Sequence, residues 1–379
     1  MKKHVLIISG DASGDVYGAQ VIRALREKEP EIIISALGGD QMASENINFL
    51  YNLVQEFSVM GVLPVILGMP KVMRFLEITL NYIEKYPPDL VILIDYPGFN
   101  LYFATHTKKR NIPTVYYVTP QIWAWASWRV RKIKRLISKM FVIFPFEVPF
   151  YKKANVPVEY VGHPLLDKIA QFKTNSNFLQ KYNFDKEAQI FTLLPGSRKK
   201  EITSNLPIML WSLEQFQKQE KIDNIIIALP SNKYLSLATK FCEKSFLNIK
   251  IICNETYDAI NNSHLILATS GTVSLETAIF CRPMIVIYKV TKFVKWVAKD
   301  LGMLKCKYFS LPNIISSKEI IPEFLVTDSQ PDYIAEVISS LWHESLKRKE
   351  CISDLKGMNK KLQKPGASKN VANAVLEML

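Results

Sequence analysis

The sequence predicts an α/β protein made of two Rossmann-like, doubly wound parallel-sheet domains. Three observations carry that prediction. First, short continuous apolar and β-branched runs recur at Val5–Ile8, Ile32–Ser35, Leu90–Ile94, Thr114–Val118, Met140–Phe144 and Val158–Val161, and again at Ile190–Leu194, Asn224–Leu229, Ile249–Cys253, Leu265–Ala268 and Met284–Tyr288. Runs without polar alternation mark strands covered on both faces. Second, helical patterns such as Ala19–Lys28, Val72–Lys85, Pro207–Gln219 and Ser274–Phe280 lie between them, and strand–helix alternation indicates parallel sheets. Third, the polar stretch Lys168–Lys186 carries no strand signal and parts the two sets. We therefore expect an N-terminal domain over 1–175, a second over 185–345 and a helical tail over 346–379.

Bulk properties agree with this division. A chain of 379 residues is long enough for two ordinary domains. With 48% apolar and 22% charged residues it has the profile of a folded chain. No apolar run approaches the roughly 20 residues that span a bilayer; the longest, Phe57–Met69, is interrupted by Gly61, Pro64 and Gly68. The apolar stretch after Lys2 and Lys3 ends before Asp11, so it reads as a first strand rather than a signal peptide, and a cytoplasmic protein is expected. Cys242, Cys253, Cys281, Cys306 and Cys351 form no CxxC pair and read as buried thiols.

The net charge of +13 favours acidic partners. Trp123, Trp125 and Trp128 stand beside Arg129, Arg131, Lys132, Lys134, Arg135 and Lys139, and a second mixed run spans Lys289–Lys307. Tryptophan mixed with Lys and Arg suits a membrane interface. It also suits an RNA-binding face, but no RRM, KH or zinc signature accompanies it. A solvated basic helix face accounts for either run equally well.

The loops that follow the strands carry the chemistry, because open α/β sheets bind ligands outside the carboxyl ends of their strands. Ser9-Gly10-Asp11-Ala12-Ser13-Gly14-Asp15 joins the first strand to a helix that Ser13 or Asp15 is placed to cap. The segment differs from GxGxxG, which disfavours a dinucleotide site, and it reads equally as an acceptor-side loop or a capped turn. Asp95 ends the apolar run Leu90–Ile94, where partial burial raises a carboxylate toward use as a general base. Asp11 is its rival, and His163, after a later strand, stands behind both.

Two further loops suit anions. Leu194-Pro195-Gly196-Ser197-Arg198 lets backbone approach a diphosphate, and Arg198 supplies a permanent charge and a bidentate fork. Ala268–Glu276 reads as a strand end, a Ser270-Gly271-Thr272 turn and a helix N-terminus, whose backbone N–H groups and dipole favour phosphate. Glu276 lies too deep to cap that helix and suits hydroxyls beside a bound phosphate. Together the two loops suggest a nucleotide-sugar site. The acidic residues form no metal cluster or DxD motif, so neither metal nor cofactor is expected and leaving-group charge falls to Arg198 and the helix N-terminus.

These segments resemble lipid-A-disaccharide synthases. The resemblance rests on Ser9–Asp15, Val59-Met60-Gly61, Ile94–Asn100, Tyr117–Trp125, Phe144–Glu147, Val161–Pro164, Leu193–Arg198, Ala268–Glu276 and Ser310–Asn313, in order along the chain. It implies the GT-B fold, two Rossmann-like domains facing across a cleft. It also implies a metal-independent, inverting transfer from UDP-2,3-diacylglucosamine to 2,3-diacylglucosamine 1-phosphate, giving a β-1,6 disaccharide 1-phosphate and UDP. Asp95 matches the family's candidate base, Arg198 the diphosphate arginine, Ser270, Gly271 and Thr272 the phosphate turn, Glu276 the ribose ligand and Asn313 a donor-site residue. Ser197 and Gly196 join the donor side; Ser13, Asp15, Asn100 and His163 join the acceptor side. Lipid substrates imply the anionic inner-membrane surface as a partner and no nucleic acid, and a homodimer is compatible with the sequence.

The sequence departs from the family pattern at Asp11 (usually Glu), Pro64 (commonly Glu), Gly98 (usually the second Asp of Asp-x-Pro-Asp-Phe-Asn) and Val326 (frequently Gln). The first three fall on the acceptor side. Two other readings stay open: a divergent GT-B enzyme taking UDP-N-acetylglucosamine and another lipid acceptor, and a non-catalytic basic module binding membrane or RNA.

Overall fold

A computed structural model describes residues 2–60, 65–289, 307–326 and 331–379, with side chains undescribed at 57–60, 65–71, 124–125 and 331–332. Gly61, Pro64, Cys306 and residues 290–306 of the second basic run lie outside the described residues, as do the side chains of Phe57–Met69 and Trp125. The chain divides into two compact units, one of residues 1–167 with 362–379, the other of residues 168–361.

The first unit holds seven parallel strands: β1 (His4–Ser9), β2 (Ile33–Gly38), β3 (Asn48–Asn52), β4 (Leu90–Ile94), β5 (Thr114–Tyr117), β6 (Lys139–Val142) and β7 (Val158–Tyr160). Their order is β3-β2-β1-β4-β5-β6-β7. The central strands β1 and β4 are buried along their whole length, as continuous apolar runs require. Strand β3 escapes the apolar-run reading because it is an edge strand of half-buried residues between Asn48 and Asn52.

The second unit holds β8 (Phe191–Leu194), β9 (Ile225–Leu229), β10 (Ile249–Cys253), β11 (Leu265–Thr269), β12 (Met284–Lys289) and β13 (Glu323–Val326). All are parallel, in the order β10-β9-β8-β11-β12-β13. The edge strand β13 was also absent from the apolar-run reading, being short and only partly buried. Both sheets are doubly wound: the strand order reverses between β1 and β4 in one and between β8 and β11 in the other.

Helix Lys199–Gln217 begins eight residues before the pattern that starts at Pro207, and that proline sits inside it. Glu201, three residues after Arg198, accepts the backbone N–H groups of Ser197 and Arg198 and starts the helix early.

The tail expected over 346–379 is divided between the units. Helix Leu346–Leu362 belongs almost wholly to the second unit, whereas the last helix, Ala367–Leu376, packs against Ala12–Lys28 of the first. Its buried stripe of Val371, Ala372 and Val375 accounts for the docking. Polar anchors add to it: Asp167 accepts from the N–H groups of Gly366 (2.7 Å) and Ala367 (2.8 Å), and Asn370 donates to the Val161 carbonyl (2.9 Å). Gly162 is required at this seam. Its φ is +93°, and a Cβ there would lie 2.0 Å from the Lys364 carbonyl oxygen.

Gly162→Ala is therefore expected to cost about 2–3 kcal/mol through backbone strain and the clash with residue 364. Thermal denaturation with limited proteolysis checks this, with cleavage appearing first in the last helix. A loss below about 0.5 kcal/mol would show that the close approach is no constraint.

Candidate active site

Each reversal of strand order brings together two loops that the sequence keeps far apart. In the first unit Ser9, at the end of β1, pairs with Ile94, at the end of β4, so Asp11 and Asp95 follow neighbouring strands. Where strands diverge to opposite faces, an open sheet leaves a crevice at their carboxyl ends. Asp11 caps helix Ala12–Lys28 in extended conformation, accepting from the N–H groups of Ser13 (3.1 Å) and Gly14 (3.3 Å). The cap expected of Ser13 or Asp15 thus falls to Asp11. Burial raises the Asp11 carboxyl from its ordinary range, against those N–H donors.

Asp95 is strained as well as partly buried. Its φ is +45° and that of Tyr96 is +44°, two successive non-glycine residues in the left-handed region. The Tyr96 ring lies over Gly10, where a Cβ would approach it to 2.5 Å. Burial, reinforced by the charge of Asp11, pushes the Asp95 carboxyl up to about 6, while the Tyr96 N–H works in the opposite sense.

The other acceptor-side residues fall into different places. Asn100 is fully buried and donates to the carbonyls of Ile94 (3.1 Å) and Asp95 (2.7 Å), so it shapes the turn. Asp15 is buried, and its carboxylate accepts from the N–H groups of Gly39, Gln41 and Met42 at 2.7, 2.9 and 3.1 Å, which anchors the loop after β2. Ser13 is exposed. His163 follows β7 at the sheet edge, away from the β1–β4 pair. It is buried, its Nδ1 accepts from the Leu165 N–H at 3.1 Å, and burial lowers its pKa to about 4. It is a neutral packing residue against Phe144 at physiological pH. Gly98 lies exposed in the first turn of helix Pro97–Lys109, and a Cβ there would meet nothing within 4 Å.

In the second unit Leu194 of β8 pairs with Ala268 of β11, so the loops 195–198 and 270–272 are neighbours. Both contain a glycine at positive φ, Gly196 at +117° and Gly271 at +149°. The two helix N-termini nevertheless differ. At the first, the Glu201 carboxylate already holds the N–H groups of Ser197 (2.9 Å) and Arg198 (3.2 Å), while the Arg198 side chain is 83% exposed. At the second the N-cap is Gly271, which has no side chain to accept from the helix N–H groups. The open backbone donors for an anion are therefore at 272, and the 196–198 loop offers its side chains.

Glu276 lies one turn further along that helix. Tyr257 donates to its carboxylate at 2.7 Å and Lys168 stands 3.9 Å away. Asn313 is fully buried, and its amide bonds the backbone of Ile320 and Ile321, so it braces the approach to β13 instead of reaching into the loops. Val326 is buried in β13.

Residues to which the sequence reading gave no role brace these loops and the backbone near them. Asn205 donates to Thr269 Oγ1 (2.9 Å) and accepts from the Lys289 N–H (3.2 Å), tying helix Lys199–Gln217 to β11 and β12. Glu323 accepts from the N–H groups of Phe309 and Ser310, and the Phe309 carbonyl accepts from Ser270 Oγ. Glu147 is buried, bonded to Thr119 Oγ1 (2.8 Å) and the Phe144 N–H (3.2 Å), and burial pushes it up to about 7. Glu201, three residues after a turn, and Glu147, at the end of the Phe144–Glu147 segment, left a readable trace. Among the described residues no group of three or more His, Cys, Asp or Glu side chains is placed to hold a metal. Cys242, Cys253, Cys281 and Cys351 are free thiols.

Residues 5–377 match the family model described as LpxB, lipid-A-disaccharide synthetase. The chain is 34% identical over 377 residues to the lipid-A-disaccharide synthase of Coxiella burnetii (strain Dugway 5J108-111), covering 100% of this chain and 99% of the relative. It is 32% identical to that of Myxococcus xanthus (strain DK1622), over 99% of this chain and 97% of the relative. In fold it is similar to the S. aureus MnaA-UDP co-structure (TM-score 0.64, 14% identity, 100% of this chain and 98% of that one). It is also similar to Acinetobacter baumannii MurG (TM-score 0.58, 13% identity, 99% of each chain).

Glu201→Ala removes a carboxylate that caps two backbone donors. It is expected to lower stability by about 1 kcal/mol, read as a lower urea midpoint at unchanged slope. An unchanged midpoint would mean that water replaces the cap without cost.

Proposed function

The chain belongs to the lipid-A-disaccharide synthetase family of hexosyltransferases, on the GT-B fold, and from that premise we propose the substrates and residue roles of its reaction. The donor is UDP-2,3-diacylglucosamine and the acceptor is 2,3-diacylglucosamine 1-phosphate. The acceptor 6-hydroxyl attacks the anomeric carbon in one displacement and gives up its proton to Asp95. The bond to the β-phosphate oxygen breaks, UDP leaves with the electron pair, and the new β-1,6 linkage has inverted configuration.

The single observation that carries the base assignment is Asp95 itself. It is a partly buried carboxylate at the sheet reversal, raised to about 6 and so poised between ionisation at neutral pH and useful basicity. On the donor side, the uncapped helix N-terminus at 272 suits the diphosphate, with the exposed Arg198 guanidinium as countercharge. Ser270 Oγ is turned to the Phe309 carbonyl and shapes the turn, whereas Thr272 and Ser197 are exposed and able to add hydroxyl contacts. Glu276, oriented by Tyr257, suits the ribose hydroxyls. Asp11 is better placed to tune Asp95 than to replace it, because its oxygens already cap a helix.

We assign the acyl chains to an anionic membrane surface approached by the basic segment after β5. Trp128 is 70% exposed there with the Arg129 guanidinium 5.2 Å over its ring, and Arg131, Lys132, Lys134 and Arg135 follow on helix Val130–Leu136. Among the described residues no helix is long and apolar enough to cross a membrane.

The test is UDP release from the purified diacylated donor, which should require the diacylated acceptor; release with UDP-N-acetylglucosamine instead would overturn the donor assignment. Asp95→Asn should lower kcat about 10²–10⁴-fold while UDP binding is retained. Because Asp95 is a base only when ionised, parental kcat/KM should fall as pH drops through about 6 and level off above it. A flat profile across that range would remove Asp95 from the role. Arg198→Ala should weaken UDP binding about 10–100-fold, measured by calorimetry, and acceptor binding far less. Equal weakening of both would count against a diphosphate contact.

A further inference from the structure

We propose that Tyr116 is a positioning residue for Asp95, its buried hydroxyl fixing the turn from which that carboxylate acts; this rests on the assignment of Asp95 as the base. Tyr116 lies on β5, beside Leu93 of β4 in register, and is fully buried. A buried tyrosine hydroxyl usually finds a hydrogen-bond partner, because an unpaired one is a desolvated polar atom. Here the partner is the backbone carbonyl of Asp95. The same carbonyl accepts from Asn100 Nδ2 at 2.7 Å, so two buried side-chain donors converge on one oxygen.

The other end of the residue is held too, because the Asp95 N–H donates to the Tyr117 carbonyl at 3.2 Å. Neighbouring residues of β5 thus grip Asp95 at both its backbone N–H and its C=O. The grip falls on a place that needs one. Asp95 and Tyr96 are consecutive left-handed residues without a glycine between them, a conformation that relaxes unless the surroundings over-determine it. The Tyr96 ring is stopped by Gly10, which closes the turn from the side of the Asp11 loop. A base displaced by about 1 Å loses on the order of 10²-fold in rate, so small shifts of this turn are costly to turnover.

The experiment is Tyr116→Phe, which deletes one oxygen and keeps the ring. Expected is a fall in kcat of about 10-fold or more, with KM for both lipid substrates and the Kd for UDP within about twofold of the parent. Asn100→Leu, which removes the second donor at similar volume, should show the same kcat-selective loss; it carries the test alone if Tyr116→Phe does not fold at the assay temperature. A purely structural role would lower the melting midpoint with an unchanged kcat per folded molecule, and that result overturns the proposal. Asp95→Asn is measured beside them. If it retains turnover, the base assignment itself falls. If it abolishes turnover while Tyr116→Phe keeps the parental kcat, only the positioning role falls.

Discussion

The constraint on which the rest of the molecule depends is the reversal of strand order in each sheet. Strands β1 and β4, and strands β8 and β11, are paired neighbours whose onward chains wind outward in opposite directions. Crossover helices therefore do not cover the ends of these pairs, and the residues just after them are the ones that line an open crevice. Asp11, Asp95, Gly196–Arg198 and Ser270–Thr272 all hold that position. Much of the surrounding structure serves to keep four short loops still: Asn205 under the β8–β11 pair, Glu323 behind Ser270, and Asn100 beneath Asp95.

The same topology is used for opposite electrical purposes. The first unit sets two carboxylates beside each other in a partly buried place, where burial raises both and the charge of Asp11 makes ionisation of Asp95 harder still. The second unit presents a helix N-terminus at Gly271 and an exposed guanidinium, and the carboxylate of Glu201 lies on the neighbouring helix start. The proposed base and the proposed diphosphate site ask for these contrary fields, and each unit supplies one of them.

Most of the architecture was legible because buried parallel strands must be apolar along their whole length. The eleven runs read from the sequence all fall on strands of the two sheets; of the four partly buried edge strands, β7 and β10 kept apolar runs and were read, while β3, bounded by Asn48 and Asn52, and β13, opened by Glu323, were missed. Loop positions at the strand ends were equally legible, since glycine and charge stand out after an apolar run. Roles within the loops were less so. Nothing in the composition distinguishes Asp95 from Asp15, yet one carboxylate ends at the sheet reversal and the other is enclosed by the N–H groups of Gly39, Gln41 and Met42. Asn313 and His163 likewise read as polar residues in the right motifs, while their partners, at Ile320–Ile321 and Leu165, are set by tertiary packing and backbone course. Tyr116 lay hidden in a strand as one more aromatic.

The return of residues 362–379 to the first unit has a consequence for biogenesis. The second unit is one continuous segment and has all its residues once position 361 has been made. The first unit, although its strands come first in the chain, lacks the helix that covers Ala12–Lys28 until residues 367–376 have been made. The usual amino-to-carboxyl order of domain completion is inverted. During synthesis the apolar face of that first helix stays uncovered until then, and a chain cut short before residue 367 forfeits the integrity of the unit that carries Asp95 while leaving residues 168–361 whole.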